Sequence, residues 1–159
     1  MAYGSLVVQA RQLERVLERA EKICEQRGVK LTGQRKMVLR LLCGAERPLS
    51  AYELLEQLRG RLKKPAPPTV YRALDFLQQQ GLIHKLESQH TYVGCRYPEQ
   101  PHASQFLICS RCGEVDEVES TAINQSLQQA TEAAGFSTER PVVELVGLCA
   151  GCNGTERER

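Results

Sequence analysis

The chain has no tryptophan and few other aromatics: 3 Phe and 5 Tyr, 5% of 159 residues. A small core built without large rings needs another source of stability. No stretch approaches eighteen uncharged apolar residues, which excludes a transmembrane helix. The opening Met1-Ala-Tyr-Gly-Ser-Leu-Val-Val segment lacks a basic n-region, and its apolar run is too short for a signal peptide. A cytoplasmic, reducing compartment is therefore expected. The 7 cysteines are an odd number and fit poorly with a closed disulfide framework, so metal ligands or core thiols are expected instead.

What the chain does have is charge, unevenly divided. The composition is that of a globular protein, 42% apolar and 25% charged, with a net charge of +2. Residues 1–97 hold 17 Lys and Arg against 9 Asp and Glu, whereas residues 98–159 hold 4 against 10. A front at +8 suits a polyanion, and a back at −6 implies a different task. Two solvated surfaces that happen to differ would give the same count. Domains of these sizes are small, and the second is marginal without a staple, for which zinc is the natural candidate.

Periodicity predicts four helices and a hairpin in the first half. Leu13, Val16, Leu17 and Ala20 form one stripe, closed by Gly28. Thr32 can cap a second helix that buries Val38, Leu41, Leu42 and Ala45. Ser50-Ala-Tyr-Glu53 is a capping box opening a third helix, with Ala51, Leu54, Leu55 and Leu58 inside. A basic, proline-rich turn, Arg61-Leu-Lys-Lys-Pro-Ala-Pro-Pro, cannot continue that helix. Pro68 then suits the first turn of a fourth helix, with Val70, Ala73, Leu74 and Leu77 inside and Gly81 closing it. Extended runs at Leu82–Glu87 and Thr91–Cys95, joined by Ser88-Gln-His90, complete a winged helix-turn-helix. After Tyr97-Pro-Glu-Gln-Pro101, strand-like runs at Gln105–Cys109, Glu114–Val118 and Val142–Leu148 flank one helix, about Thr121–Ala134. Ile123, Leu127, Ala130 and Ala134 lie on one face of that helix, and Gly154 to Arg159 read as a frayed polar tail. The fold class is α+β: a winged-helix domain over 1–97, then a small α/β domain over 98–159, with a hinge about 96–103.

The strongest chemical signals are Cys109-Ser-Arg-Cys112-Gly and Cys149-Ala-Gly-Cys152-Asn-Gly. Each follows a strand-like run, and the nearby glycine lets the chain turn tightly around the thiolates. Two such turns facing one another supply the four soft ligands of a closed, structural zinc site. The other readings are a redox pair or a disulfide pair; a thioredoxin-like centre would need a βαβ setting and only one motif.

The exposed face of the fourth helix carries Tyr71, Arg72, Asp75, Gln78 and Gln79. Arginine is the commonest bidentate reader of guanine, and a phenol packs on a thymine methyl or bonds to phosphate. Arg61, Lys63 and Lys64 in the preceding turn are placed to meet phosphates. An ordinary solvated helix face reads the same in isolation; the helix order, hairpin and charge favour DNA.

With these residues in view, the chain resembles the ferric uptake regulator family, and within it the zinc-responsive branch. The resemblance runs from Ala20-Glu-Lys-Ile-Cys24 to Cys152. Its most specific pieces are Pro67-Pro-Thr-Val-Tyr-Arg-Ala-Leu-Asp-Phe-Leu77, His84-Lys-Leu-Glu87 and the paired CxxC motifs. It implies a dimeric, metal-activated transcription factor with a winged-helix domain, a hinge and a dimerisation domain. It implies that Tyr52 and Arg72 contact DNA bases, with Thr69 and Tyr71 beside them. Structural zinc then falls on Cys109, Cys112, Cys149 and Cys152, and a regulatory zinc on His84, Cys95, His102 and Glu117. Two imidazoles, a thiolate and a carboxylate around Zn²⁺ make a site of zero net charge, suited to a tetrahedral metal. His90 is left as a hairpin-turn residue, and Cys24 and Cys43 as buried helix thiols.

Two departures from the family pattern matter. Ferric-type members carry several histidines before the first CxxC, whereas only His102 stands here, and soft Cys95 joins it; both weaken an iron or peroxide reading. Where the family often has Thr-Pro-Gln-Arg, this chain has Thr32-Gly-Gln-Arg35, and the lost proline costs on the order of 1 kcal/mol locally. The expected protein is a zinc-responsive repressor with two zinc ions per protomer. As a homodimer it would bind palindromic operators of zinc-uptake genes, with further association of dimers on DNA left open. The alternative is a regulator responding to another divalent metal or to peroxide. No enzyme is expected, because neither H-x-E…P-C-x-x-C nor H-E-x-x-H occurs.

Overall fold

The structure is a computed structural model that describes residues 10–99, 102–139 and 141–154. The polar tail beyond Gly154, the Met1–Val8 segment and the centre of the expected hinge lie outside the described residues. The chain divides into two compact units, residues up to Gln100 and residues from Pro101.

The first unit contains α1 (Ala10–Gln26), α2 (Gly33–Gly44), β1 (Leu49–Ser50), α3 (Ala51–Arg59), α4 (Pro67–Gln79), β2 (Ile83–Leu86) and β3 (Thr91–Gly94). The apolar stripes of its four helices meet in one core, in which Leu17, Leu39, Leu54, Leu58, Leu74 and Leu77 are wholly buried. Leu13, Val16, Ala45 and Ala51 pack at its margin, half-buried. Backbone amides left over at helix starts are met by side chains. Thr32 accepts from Arg35 N, and Ser50 accepts from Glu53 N while the Glu53 carboxylate takes Ser50 N at 2.8 Å. No side chain caps α4, which starts instead on Pro67 and Pro68, residues that have no amide hydrogen to satisfy. Gly81, at φ +65°, ends α4 in the left-handed region that a side chain resists. His90 turns the β2–β3 hairpin at φ +53°.

The wing is a three-stranded sheet in the order β1-β3-β2, all antiparallel. The hairpin is as periodicity has it, but β1 is not in the sequence reading. Two residues are too few to show alternation, and β1 exists only because Leu49 finds Tyr92 opposite it.

The second unit contains β4 (Gln105–Cys109), β5 (Val115–Val118), α5 (Thr121–Ala133), β6 (Val143–Gly147) and the short α6 (Ala150–Asn153). Its sheet runs β5-β4-β6, with β5 antiparallel to β4 and β6 parallel to it. Two features differ from the sequence reading. The second CxxC lies on α6, where Cys149 is the N-cap; a four-residue helix leaves no periodic signature. The apolar stripe of α5 exists, yet no residue of that helix is buried. Strands of four and five residues offer too little surface to cover it. Leu107, Leu127, Phe136, Leu145 and Val146 are all exposed as well.

Candidate metal centres and nucleic-acid face

The sheet of the second unit brings its cysteine turns together. Parallel pairing of β4 with β6 places Cys109 opposite Gly147, so both strands end at the same edge and both CxxC turns begin there. Ser110 N donates to Gly147 O at 2.8 Å, and the Arg111 guanidinium donates to Cys152 O at 2.8 Å, tying turn to turn. The Sγ atoms of Cys109, Cys112, Cys149 and Cys152 all lie within 4.8 Å of one another, with Cys112 and Cys149 at 3.7 Å. A tetrahedron with Zn–S of about 2.3 Å has S···S edges of about 3.8 Å, so the donors fit zinc in type and spacing.

The crowded thiols differ in how readily they ionise. Backbone N–H groups of Cys112 and Cys149 point at Cys109 and bring its thiol down to about 6. Cys152 is pushed up to about 12, first by the Cys149 thiol and then by burial. Four crowded sulfurs cannot all ionise unless a cation joins them.

The quartet expected to hold a regulatory metal, His84, Cys95, His102 and Glu117, is divided between the units, two residues in each. In the first, His84 lies on β2 opposite Val93, and Cys95 follows β3 with its amide donating to Leu82 O at 2.9 Å. Their ligand atoms are within 4.8 Å. In the second, His102 Nε2 lies 2.9 Å from Glu117 Oε1, and Ser104 Oγ donates to the same oxygen at 2.6 Å. Glu117 is only 4% exposed. A tetrahedral N/O edge around zinc is about 3.4 Å, so these two hydrogen-bonded donors would part slightly to share a metal.

Of the DNA-binding candidates, Tyr71 and Arg72 are exposed on α4, Thr69 is half-buried in its first turn, and Tyr52 is exposed on α3. Lys63 and Lys64 are exposed in the turn before α4. Arg35 of α2 stacks over the Phe76 ring of α4 at 3.7 Å, tying the two helices together. Sequence reasoning missed Ser104 and Gln105, both buried. A polar pair opening an apolar strand was the one available signal.

The model of the ferric uptake regulator family matches residues 26–146, and the chain belongs to that family. The zinc uptake regulation protein of Escherichia coli K12 is 46% identical over 140 residues, covering 87% of this chain and 82% of the relative. The zinc uptake regulation protein of Mycobacterium tuberculosis H37Rv is 30% identical over 128 residues, 79% of this chain and 95% of the relative. A solved zinc uptake regulator complexed with zinc and DNA superposes with a TM-score of 0.87 at 45% identity, covering 91% of this chain and 97% of that one.

Proposed function

We propose that the chain is a zinc-responsive transcriptional repressor, active as a homodimer on operator DNA in the cytoplasm and without enzymatic activity. The observation that carries this is how the donors are distributed. Four sulfurs sit within one unit, while a histidine–cysteine pair belongs to the wing unit and a histidine–carboxylate pair to the other. Cys109, Cys112, Cys149 and Cys152 would hold a structural zinc that closes the sheet of the small unit. His84, Cys95, His102 and Glu117 would hold the regulatory zinc. Zinc held there would supply a redox-inert double positive charge, balanced by the Cys95 thiolate and the Glu117 carboxylate.

The remaining steps belong to the chain. His84 and Cys95 are fixed by the wing strands, so the wing carries one half of the regulatory site. Glu117 is fixed on β5, and His102, in the segment before β4, is held beside it, so this pair carries the other half. Joining the halves restricts the 96–103 hinge, and two recognition helices of a dimer are then held at half-site spacing. Arg72, with Tyr71, Thr69 and Tyr52, would read bases, and Lys63 and Lys64 would meet phosphates. The homodimer is supported by the uncovered apolar surface of the second unit, where α5 buries nothing and Leu145 and Val146 stand on an edge strand.

The test is operator binding across a buffered zinc series. Affinity should rise with zinc at low free concentration, with no comparable response to ferrous iron or peroxide. A protein that binds its operator equally with and without zinc would sink the reading.

A further inference from the structure

We propose that Ser104 is a positioning residue for the regulatory metal: its hydroxyl sets the Glu117 carboxylate, and Gln105 locks the strand start that aims it. The proposal rests on the reading of His84, Cys95, His102 and Glu117 as a zinc site. It assigns to that site a supporting layer that does not itself touch the metal.

Pleating of β4 separates the two residues. Residues opposite one another in the sheet share a face, and Phe106 stands opposite Glu117. Ser104, two residues before Phe106, continues on that face and reaches Glu117 Oε1 at 2.6 Å. Gln105 therefore points to the other face, toward α5. Its amide nitrogen donates to Ala103 O at 3.0 Å and to Asn124 Oδ1 at 2.7 Å, and its carbonyl oxygen accepts from Ser120 N at 3.0 Å. One primary amide, 1% exposed, thus joins the segment that carries His102 to the start of α5. An apolar residue there would pack but would leave the Ser120 amide and the Asn124 side chain without these partners.

A carboxylate buried to 4% needs donors, and here two groups converge on Oε1, the Ser104 hydroxyl and the His102 ring. The Ser104 contact holds the carboxylate near the His102 ring. Without the hydroxyl, Oε1 loses one of the two groups that converge on it, and Glu117 has more rotamers to lose when it binds metal. Partners of metal ligands typically govern about 10–100-fold in metal affinity. Ser104 belongs in that range.

The experiment is a competition titration of full-length dimer, carrying its tightly held zinc, with Zn²⁺ against a chromophoric chelator. Ser104→Ala should bind the second zinc about 10–100-fold more weakly, and Ser104→Thr, which keeps the hydroxyl, should recover most of the loss. The tightly held zinc and the thermal midpoint should match the parent in both variants. Co²⁺ in the second site should show altered d–d bands in Ser104→Ala and parental bands in Ser104→Thr, a response that loss of packing alone would not give. Glu117→Ala run in parallel separates the two levels of the argument. If Glu117→Ala weakens the second site and Ser104→Ala does not, the positioning role is wrong and the zinc site stands. If Glu117→Ala itself leaves second-site affinity unchanged, the site is wrong and the role of Ser104 falls with it. Should Ser104→Ala fail to fold, Ser104→Cys replaces a strong donor by a weak one at similar size. Parental affinity in Ser104→Cys then overturns the proposal.

Discussion

Cys112 Sγ and Cys149 Sγ stand 3.7 Å apart although 37 positions separate them along the chain. That distance matches an edge of a zinc tetrahedron, and it is set by the parallel pairing of β4 and β6, which end level with one another. Among its described residues the small unit has few buried apolar side chains: Phe106, Ile108, Cys109 and Val115. A staple between the two turns, as the proposed zinc would provide, is expected to add to its stability.

Cys112→Ser should leave the first unit folded and unfold the second. Circular dichroism and metal analysis of the purified chain check this. A folded dimer with parental zinc content would remove the structural assignment of these four sulfurs.

Arg72→Ala should weaken binding to the cognate operator by about 1–3 kcal/mol and change binding to random duplex little, because a base contact is lost. Lys63→Ala and Lys64→Ala should weaken both duplexes and flatten the dependence on salt, because phosphate contacts release counterions. Equal losses of Arg72→Ala on both duplexes would reassign this arginine to the phosphate backbone.

Cys95→Ser should keep the fold, the dimer and the tightly held zinc, and lose most of the zinc dependence of operator binding. Reciprocity adds a second check: operator DNA should raise parental zinc affinity by the factor through which zinc raises DNA affinity. A variant that responds to zinc as the parent does would leave Cys95 a core thiol.

The start of α3 should make the first unit acid-sensitive. The Arg47 guanidinium and the Ser50 amide hold the Glu53 carboxyl down to about 2, from 4.5. The unfolded chain therefore takes up this proton first as pH falls. The stabilisation is complete above about 4.5 and disappears as pH drops through about 2. Ser50→Ala should cost about 1 kcal/mol at neutral pH, and Glu53→Gln should flatten the loss of thermal midpoint between pH 5 and 2. An unchanged acid profile in Glu53→Gln would show that other carboxylates set it.

Most of the fold was legible because its signals are local. The Leu17–Ala20 stripe, the Ser50–Glu53 box and Pro68 in the first turn of α4 are each decided within one helical turn, and the structure keeps all of them. The cysteine turns were legible because both motifs are short and repeated. What escaped depends on partners far along the chain. β1 needs Tyr92, and α6 is closed by the turn it faces. Ser104 gains meaning only once β5 brings Glu117 alongside it. The uncovered α5 was likewise hidden, because an apolar stripe does not say which surface will bury it.

The parallel β4–β6 pair has a consequence for how the small unit would come apart. Cys109 and Cys149 are 40 positions apart, and everything between them, β5, α5 and the return to β6, forms one closed lobe whose neck is the cluster of four sulfurs. A protease that nicks the exposed turn at Gly135–Thr138 opens this lobe without releasing either half. The fragments should migrate as one species while the sulfurs share a metal, and separate when a chelator and a thiol-blocking reagent act together.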